Sequence, residues 1–542
     1  MVDPFLLSRR RALALGAAGL LAPPRLLAQP ATGFTHGVAS GEPGARQMLF
    51  WTRFVGAGDR PVPLRLELFT SPRMTRAVAR AEALAAPETD WCAKVTVGGL
   101  SPGTTYYYRF TGPDRQRSIL GRTRTLPEDD VRQFRLALFS CSNLPYGWFN
   151  AYGATVAADD VDLFVHVGDY LYEYERGRYP PPAEAVPGRV IEPEGELVRL
   201  ADYRARYASY RLDPDLQALH ARFPAILAWD DHESANDAWT GGAENHQPDR
   251  EGPWAERLAV ARRVHREWMP VSDAPYARYR VGRLLALHRL DTRVEGRDRQ
   301  LDLASFVQSA GGELRQALLR FRDEEWMRGS RQLLGLAQEK WLFQALDQGR
   351  AEGVRWQVLA QQVLMGQLKA PSEPSALPLQ GVRPELQGFL KLAAAAAAVG
   401  LPLNMDAWDG YPAARARLLS MAQRAGANLV VLSGDSHNAW AFELANDGRP
   451  AGVEFGGPSV SSPGFESELP LPPPDVARAL VAANPQLKWC ETSRRGYVHV
   501  TFTPEAAVAE YRFTGPTGVR SPRLAMVQRA TVRPGTLRLE LA

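Results

Sequence analysis

Cysteine is almost absent from this chain: 542 residues hold three, Cys92, Cys141 and Cys490, far apart. So sparse a set excludes a disulfide scaffold; one pair at most forms, and Cys141, at the end of an apolar run, is the thiol expected to stay free. Long apolar runs are missing too. A membrane-crossing helix needs about 20 such residues, and neither Ala12–Ala22 nor Ala393–Ala398 reaches that. Charge of one sign is also lacking, with 64 basic residues against 60 acidic ones and a net +4. Removing residues 1–28 takes four arginines and Asp3 with it, leaving +1. No nucleic-acid or membrane partner follows from so even a balance. No internal repeat is present. With 45% hydrophobic and 23% charged residues the chain is of globular composition, and its length predicts two or three domains.

What is present begins with Ser8-Arg9-Arg10-Arg11 opening onto Ala12–Ala22 and then Leu26-Leu27-Ala28. A basic start, a short apolar core and a small residue at the cut describe an export signal over residues 1–28, and the paired arginines fit the twin-arginine machinery. The mature protein is thus expected to be periplasmic or extracellular, with no membrane span. Residues 33–126 read as all-β: Leu64–Leu68 alternates, and a Leu-x-Pro-Gly turn precedes the Tyr-rich run Thr104–Phe110, as at the edge of an immunoglobulin- or fibronectin-like sandwich. Residues 133–513 alternate strands with helices, which predicts an α/β layered domain. Helices are expected over Asn150–Ala158, from a cap at Asp213 to His220, over Trp254–Trp268 and over Leu314–Leu346. Arg178–Glu196, rich in Pro, Gly and Glu, reads as a long surface loop, and 514–542 as a tail of unassigned structure.

Four apolar runs stop abruptly at residues that carry chemistry: Leu136–Ser140 at Cys141, Leu163–Val167 at Gly168-Asp169-Tyr170-Leu171-Tyr172, Ala225–Trp229 at Asp230-Asp231-His232-Glu233, and Asn428–Leu432 at Gly434-Asp435-Ser436-His437. Such runs are buried strands leaving a sheet, and in α/β folds ligands bind at the carboxyl ends of strands. Taken singly, Gly-Asp is a turn, a lone Cys a small buried hydrophobe, and Glu233 a cap for the next segment. Together, the four ends predict one metal-filled cleft. Carboxylates suit Ca, Mg or Mn, imidazole suits transition ions, and a phenol ligates only a strongly Lewis-acidic ion, so Tyr172 beside Cys141 favours ferric iron.

These motifs, with Phe34-Thr35-His36-Gly37-Val38-Ala39-Ser40-Gly41-Glu42-Pro43, Asp291-Thr292-Arg293 and Asp406-Ala407-Trp408-Asp409-Gly410-Tyr411, resemble in order the alkaline phosphatase D (PhoD-like) family of secreted phosphomonoesterases and phosphodiesterases, a branch of the calcineurin-like metallophosphoesterases. The resemblance runs from about residue 33 to about residue 512. It implies an all-β sandwich preceding two packed mixed β-sheets flanked by helices, and a centre of Fe3+ with Ca2+, the second metal alternatively being Mn2+, Mg2+ or Zn2+. It implies that Cys141, Asp169, Tyr172 and His437 hold the iron with Asp169 bridging. Asp231 and Asp435, with Asn236 and Asp230 as further candidates, would hold the second ion, and His232 would contact or protonate the phosphate ester.

The expected activity is hydrolysis of small phosphate esters by a metal-bound hydroxide, with Asp169, His232 and Arg293 in catalysis, Arg293 as a phosphate clamp whose alternative is a strand-end salt bridge. Two other readings stand beside it: a phospholipase-D-like or nucleotide-directed phosphodiesterase, and a secreted binding protein with structural metals. A structural site closes around one ion, and the ligand candidates here exceed one ion's needs.

Overall fold

Three sheets organise the chain in a computed structural model that describes residues 32–372, 382 and 384–542; the expected export signal lies outside them. One sheet has ten strands. Its centre is the parallel trio Phe134–Phe139, Leu163–His166 and Ala225–Leu227. The second has seven, centred on Leu285–Arg289, Trp356–Ala360, Leu429–Ser433 and Arg449–Gly456, also parallel. Each strand splits its side chains by the period of two. Along Phe134–Phe139, Leu136 and Leu138 face the second sheet while Ala137 and Phe139 face helices.

The slab between the sheets is built from Leu136, Leu138, Val165, Leu287, Val358, Val430 and Leu432, all buried. Removing such a side chain from water contributes about 2 kcal/mol each. Helices Asn150–Ala158, Leu200–Arg211, Pro214–Arg222 and Trp254–Trp268 cover the first sheet, and Gly335–Ala351, Pro412–Arg424 and Pro473–Ala483 the second. The result is two packed mixed sheets flanked by helices, preceded by an all-β region. The cap foreseen at Asp213 forms, its carboxylate accepting from the Asp215 and Leu216 amides. All three cysteines are free and buried. Among the described residues no helix is long and apolar enough to cross a membrane.

Two features differ from the sequence reading. The all-β region pairs its four-stranded sheet (Val62–Phe69, Ala79–Ala85, Thr105–Thr111, Gly121–Arg124) against strands Gly33–Gly41, Gln47–Val55 and Cys92–Gly98. Those three belong to the ten-stranded sheet itself, because Gly41 pairs in parallel with Ala225. At that junction Glu42 donates its amide to the Ala225 carbonyl and accepts from Tyr279 and Arg289 of the second sheet, both at 2.6 Å. The helix expected over Leu314–Leu346 is broken: Leu314–Arg320 runs into a wide turn, Phe321–Trp326, and a new helix starts at Gly335. Gly335 has φ +72° and lies so close to Gly296 that a Cβ there would sit 2.8 Å from the Gly296 Cα. Helical periodicity in the side chains does not record such a backbone contact. The tail adds strands Leu524–Val532 and Leu539–Leu541 at the outer edge of the first sheet.

Candidate metal centre

The parallel strands of both sheets end at one cleft, and the ends are tightly turned. Cys141, Asp169, Asp435 and His437 all have left-handed backbone conformations, with φ of 59°, 52°, 61° and 62°. For residues with a Cβ this costs on the order of 1 kcal/mol each and is retained where function fixes the geometry. Gly168, at φ +108°, lets its turn lie against Asp230, whose Cβ would be 2.3 Å from any Cβ placed there.

Three overlapping groups of donors result. Cys141, Asp169 and His437 form one, Asp169, Asp231 and His232 a second, and Asp230, Asp231 and Asp435 a third; within each, the ligand atoms lie within 4.8 Å of one another. Asp169 links the first to the second and Asp231 the second to the third. Tyr172 joins the first group, its hydroxyl 3.2 Å from Asp169 Oδ2, 3.1 Å from His437 Nε2 and 2.7 Å from Ser462 Oγ. His437 donates from Nδ1 to the Pro463 carbonyl at 2.7 Å, which leaves Nε2 as a lone pair turned to the group. Burial holds this imidazole neutral, down at about 3.

This donor set fits multivalent cations. Asp169 Oδ1 and Asp230 Oδ2 are buried carboxylate oxygens with no hydrogen-bond partner, an arrangement that is costly unless a cation completes it. Burial, reinforced by Asp169, pushes the Cys141 thiol well up, and burial, Asp169 and Cys141 do the same to the Tyr172 phenol. Both hold their protons until a strongly polarising ion displaces them.

His232 stands at the mouth. Its Nδ1 is 2.7 Å from Glu173 Oε2. Burial opposes its charge, but Glu173, Asp169 and Asp231 outweigh that and hold it well above the ordinary histidine range. Beyond it opens a cavity of about 800 Å³ lined by Tyr174, Tyr179, Arg178, Asn236 and His437. Its outer wall belongs to the irregular segment foreseen as a surface loop. Buried Arg206 ties that wall down, donating to the carbonyls of Tyr172, Glu192, Pro193 and Gly195.

One candidate sits differently from its expected role. Arg293 does not line the cavity. It is fully buried, with Nε on Asp230, Nη1 2.6 Å from Asp406 and Nη2 2.7 Å from Asp435, so its nitrogens are spent on carboxylates and it forms no phosphate clamp. Asn236 lines the cavity beside His232 and His437; its side-chain nitrogen donates to Glu244 and its backbone to Glu173, and neither bond uses the oxygen with which an amide ligates.

Sequence reasoning missed two carboxylates. Glu233, read as a cap, is wholly buried and accepts the amides of Asp169, Tyr170 and Asp230 at 3.1, 2.6 and 2.8 Å, locking two strand ends together. Glu173 accepts from His232, Asn236 and Asn245. The only sequence signal for either was its place next to a motif.

Known proteins share this architecture. A family model described as PhoD-like phosphatase matches residues 136–511, and one for the PhoD-like phosphatase N-terminal domain matches residues 22–127. Alkaline phosphatase D of Bacillus subtilis (strain 168) is 31% identical, across 95% of this chain and 84% of that protein. The solved structure of PhoD superposes with a TM-score of 0.77 at 28% identity, covering 94% of this chain and 92% of that one.

Proposed function

Since the chain belongs to the PhoD-like phosphatase family, and is thereby a phosphoric ester hydrolase, we propose that it is an exported enzyme acting on small phosphate esters through a centre of two cations. Fe3+ is the ion proposed for Cys141, Asp169, Tyr172 and His437, and a divalent ion, Ca2+ first, for Asp231 and Asp435 beside them. The observation that carries this reading is the linkage of donor groups through Asp169, together with its unpartnered buried oxygen.

Cations held there supply neutralisation of the phosphoryl oxygens and an acidified water as nucleophile. The protein's own residues do the rest. Glu173 occupies His232 Nδ1 and orients the ring, so Nε2 is the nitrogen that donates a proton to the departing alkoxide. Tyr174 and Tyr179 wall the cavity and exclude bulk water from the reacting group. The cavity's size leaves room for the ester's organic arm, and Arg178, 5.3 Å over the Tyr174 ring, places a positive charge at its rim. Export through the twin-arginine machinery follows from residues 8–28 and belongs to the same proposal.

The test is elemental analysis of protein recovered after its own export, paired with phosphatase assays before and after chelation. Iron with calcium, and activity lost on chelation and regained on reloading, is the expected result. A colourless, iron-free protein with full activity excludes the ferric assignment.

A further inference from the structure

The cavity beyond His232 has one positive charge that its own walls leave unused. On the loop after Tyr172, the charged side chains Glu175, Arg176 and Arg178 line it. Arg176 is engaged, donating to the Ile191 carbonyl at 2.8 Å and pairing with Glu192 at 3.0 Å. Arg178 is not. Among the described residues no carboxylate, carbonyl or hydroxyl meets its guanidinium, which lies over the Tyr174 ring, its carbon 5.3 Å from the centroid. A cation over an aromatic face is held there without using its N–H donors, so the fork stays available at an exposed position. The same ring leads back to the reacting end: the Tyr174 and His232 centroids are 5.3 Å apart, edge to face. Tyr179 backs Tyr174 at 5.9 Å and is itself backed by Tyr172 at 5.5 Å, which fixes the platform to the wall of the site.

We propose that Arg178 is a specificity-determining residue: it selects esters whose leaving alcohol carries a second anionic group, a phosphate or a carboxylate, a short chain away from the phosphate that is cut. His232 stands where the alkoxide departs, so the part of a substrate that runs past it toward Tyr174 is the leaving alcohol. Two steps of 5.3 Å then bring that arm to the guanidinium. A guanidinium fork matches phosphate and carboxylate alike, taking either through two parallel hydrogen bonds. Glu175 shares the rim with opposite sign, and both side chains are exposed, so solvent and salt keep the preference modest, at about fivefold.

The inference rests on the phosphate-ester reading proposed above, and a matched substrate series separates the two. Phosphate release by the full-length mature protein is followed on butyl phosphate, on phosphooxybutanoate, which adds a carboxylate, and on butanediol bisphosphate, which adds a phosphate. The readout is the ratio of kcat/KM for each charged ester to that for butyl phosphate, because this cancels any general loss. In Arg178→Gln the ratio is expected to fall about fivefold, chiefly through KM, and in Arg178→Glu further still. Arg178→Lys is expected to fall between wild type and Arg178→Gln. Raising the salt concentration is expected to shrink the wild-type ratio and to leave that of Arg178→Gln nearly flat. A fall on one charged ester alone narrows the class to phosphate or to carboxylate. An unchanged ratio in Arg178→Gln overturns the proposal, and so does an equal loss on all three esters, which is what a merely structural loop residue would give. Hydrolysis of butyl phosphate with no such preference removes this inference alone; hydrolysis of none of the three removes the phosphate-ester reading with it.

Discussion

The two sheets deliver different sets of side chains to the same cleft. The ten-stranded sheet ends its central strands in Cys141, Asp169, Asp230 and Asp231, a thiol and acids, with His232 as the one basic group. The seven-stranded sheet returns Asp435 and His437, but also Arg293, and Asp406 to hold it. Both halves bring acids, and the second also brings the guanidinium that lies among them. Neither half is a site alone. The lesson is that a buried anionic cage leans on counter-charge built into the chain.

The sharpest way to break the comparison is Asp169→Asn, which removes the carboxylate proposed as the shared ligand. Turnover is expected to fall by about 10³-fold or more, roughly 4 kcal/mol of barrier, with far-ultraviolet circular dichroism unchanged; near-normal rates would refute the shared-ligand role. Next is Glu233→Ala, which strips the partner from three buried amides. A loss of about 3 kcal/mol in urea unfolding is expected, and an unchanged midpoint would mean water satisfies those amides as well as the carboxylate does. His232→Gln should lower kcat by about 10²-fold while leaving the metal content intact, as checked by elemental analysis, and should cost less for esters with acidic leaving alcohols. The mildest change lies away from the cage, at the half-exposed Arg520, which grips Asp215 through two 2.8 Å bonds. Arg520→Ala should cost under about 1 kcal/mol and leave kcat untouched, so a large kinetic effect there would show that the periphery shapes the cleft.

Much of this cleft was legible in the chain because its candidate ligands cluster just past the ends of four strands. An apolar run closed by Gly-Asp or Ser-Cys announces both the strand and the group it presents, and the runs before Cys141, Asp169, Asp230 and Asp435 became parallel strands of the two sheets. What was not legible depends on pairing between distant positions. Glu233 meets Asp169 across 64 residues, Arg293 meets Asp435 across 142, and Tyr172 meets Ser462 across 290. Nothing local distinguishes an arginine that will clamp phosphate from one that will be swallowed by carboxylates. The break before Gly335 left no local mark either, and the contact Gly335 makes there is with Gly296, far back along the chain.

Glu42 gives the Gly41-Glu42-Pro43 signature a mechanical meaning. By joining the Ala225 carbonyl to Tyr279 and Arg289, it rivets the leading all-β segment to both layers of the hydrolytic half at once. Cutting the chain at residue 126 to isolate that half would unzip a three-residue strand along one side, the strand that leads straight into Asp230–Glu233, and take from the buried Arg289 its carboxylate partner. The leading segment is therefore scaffolding the hydrolase cannot shed, and a trimmed version is expected to lose its activity before it loses its helices.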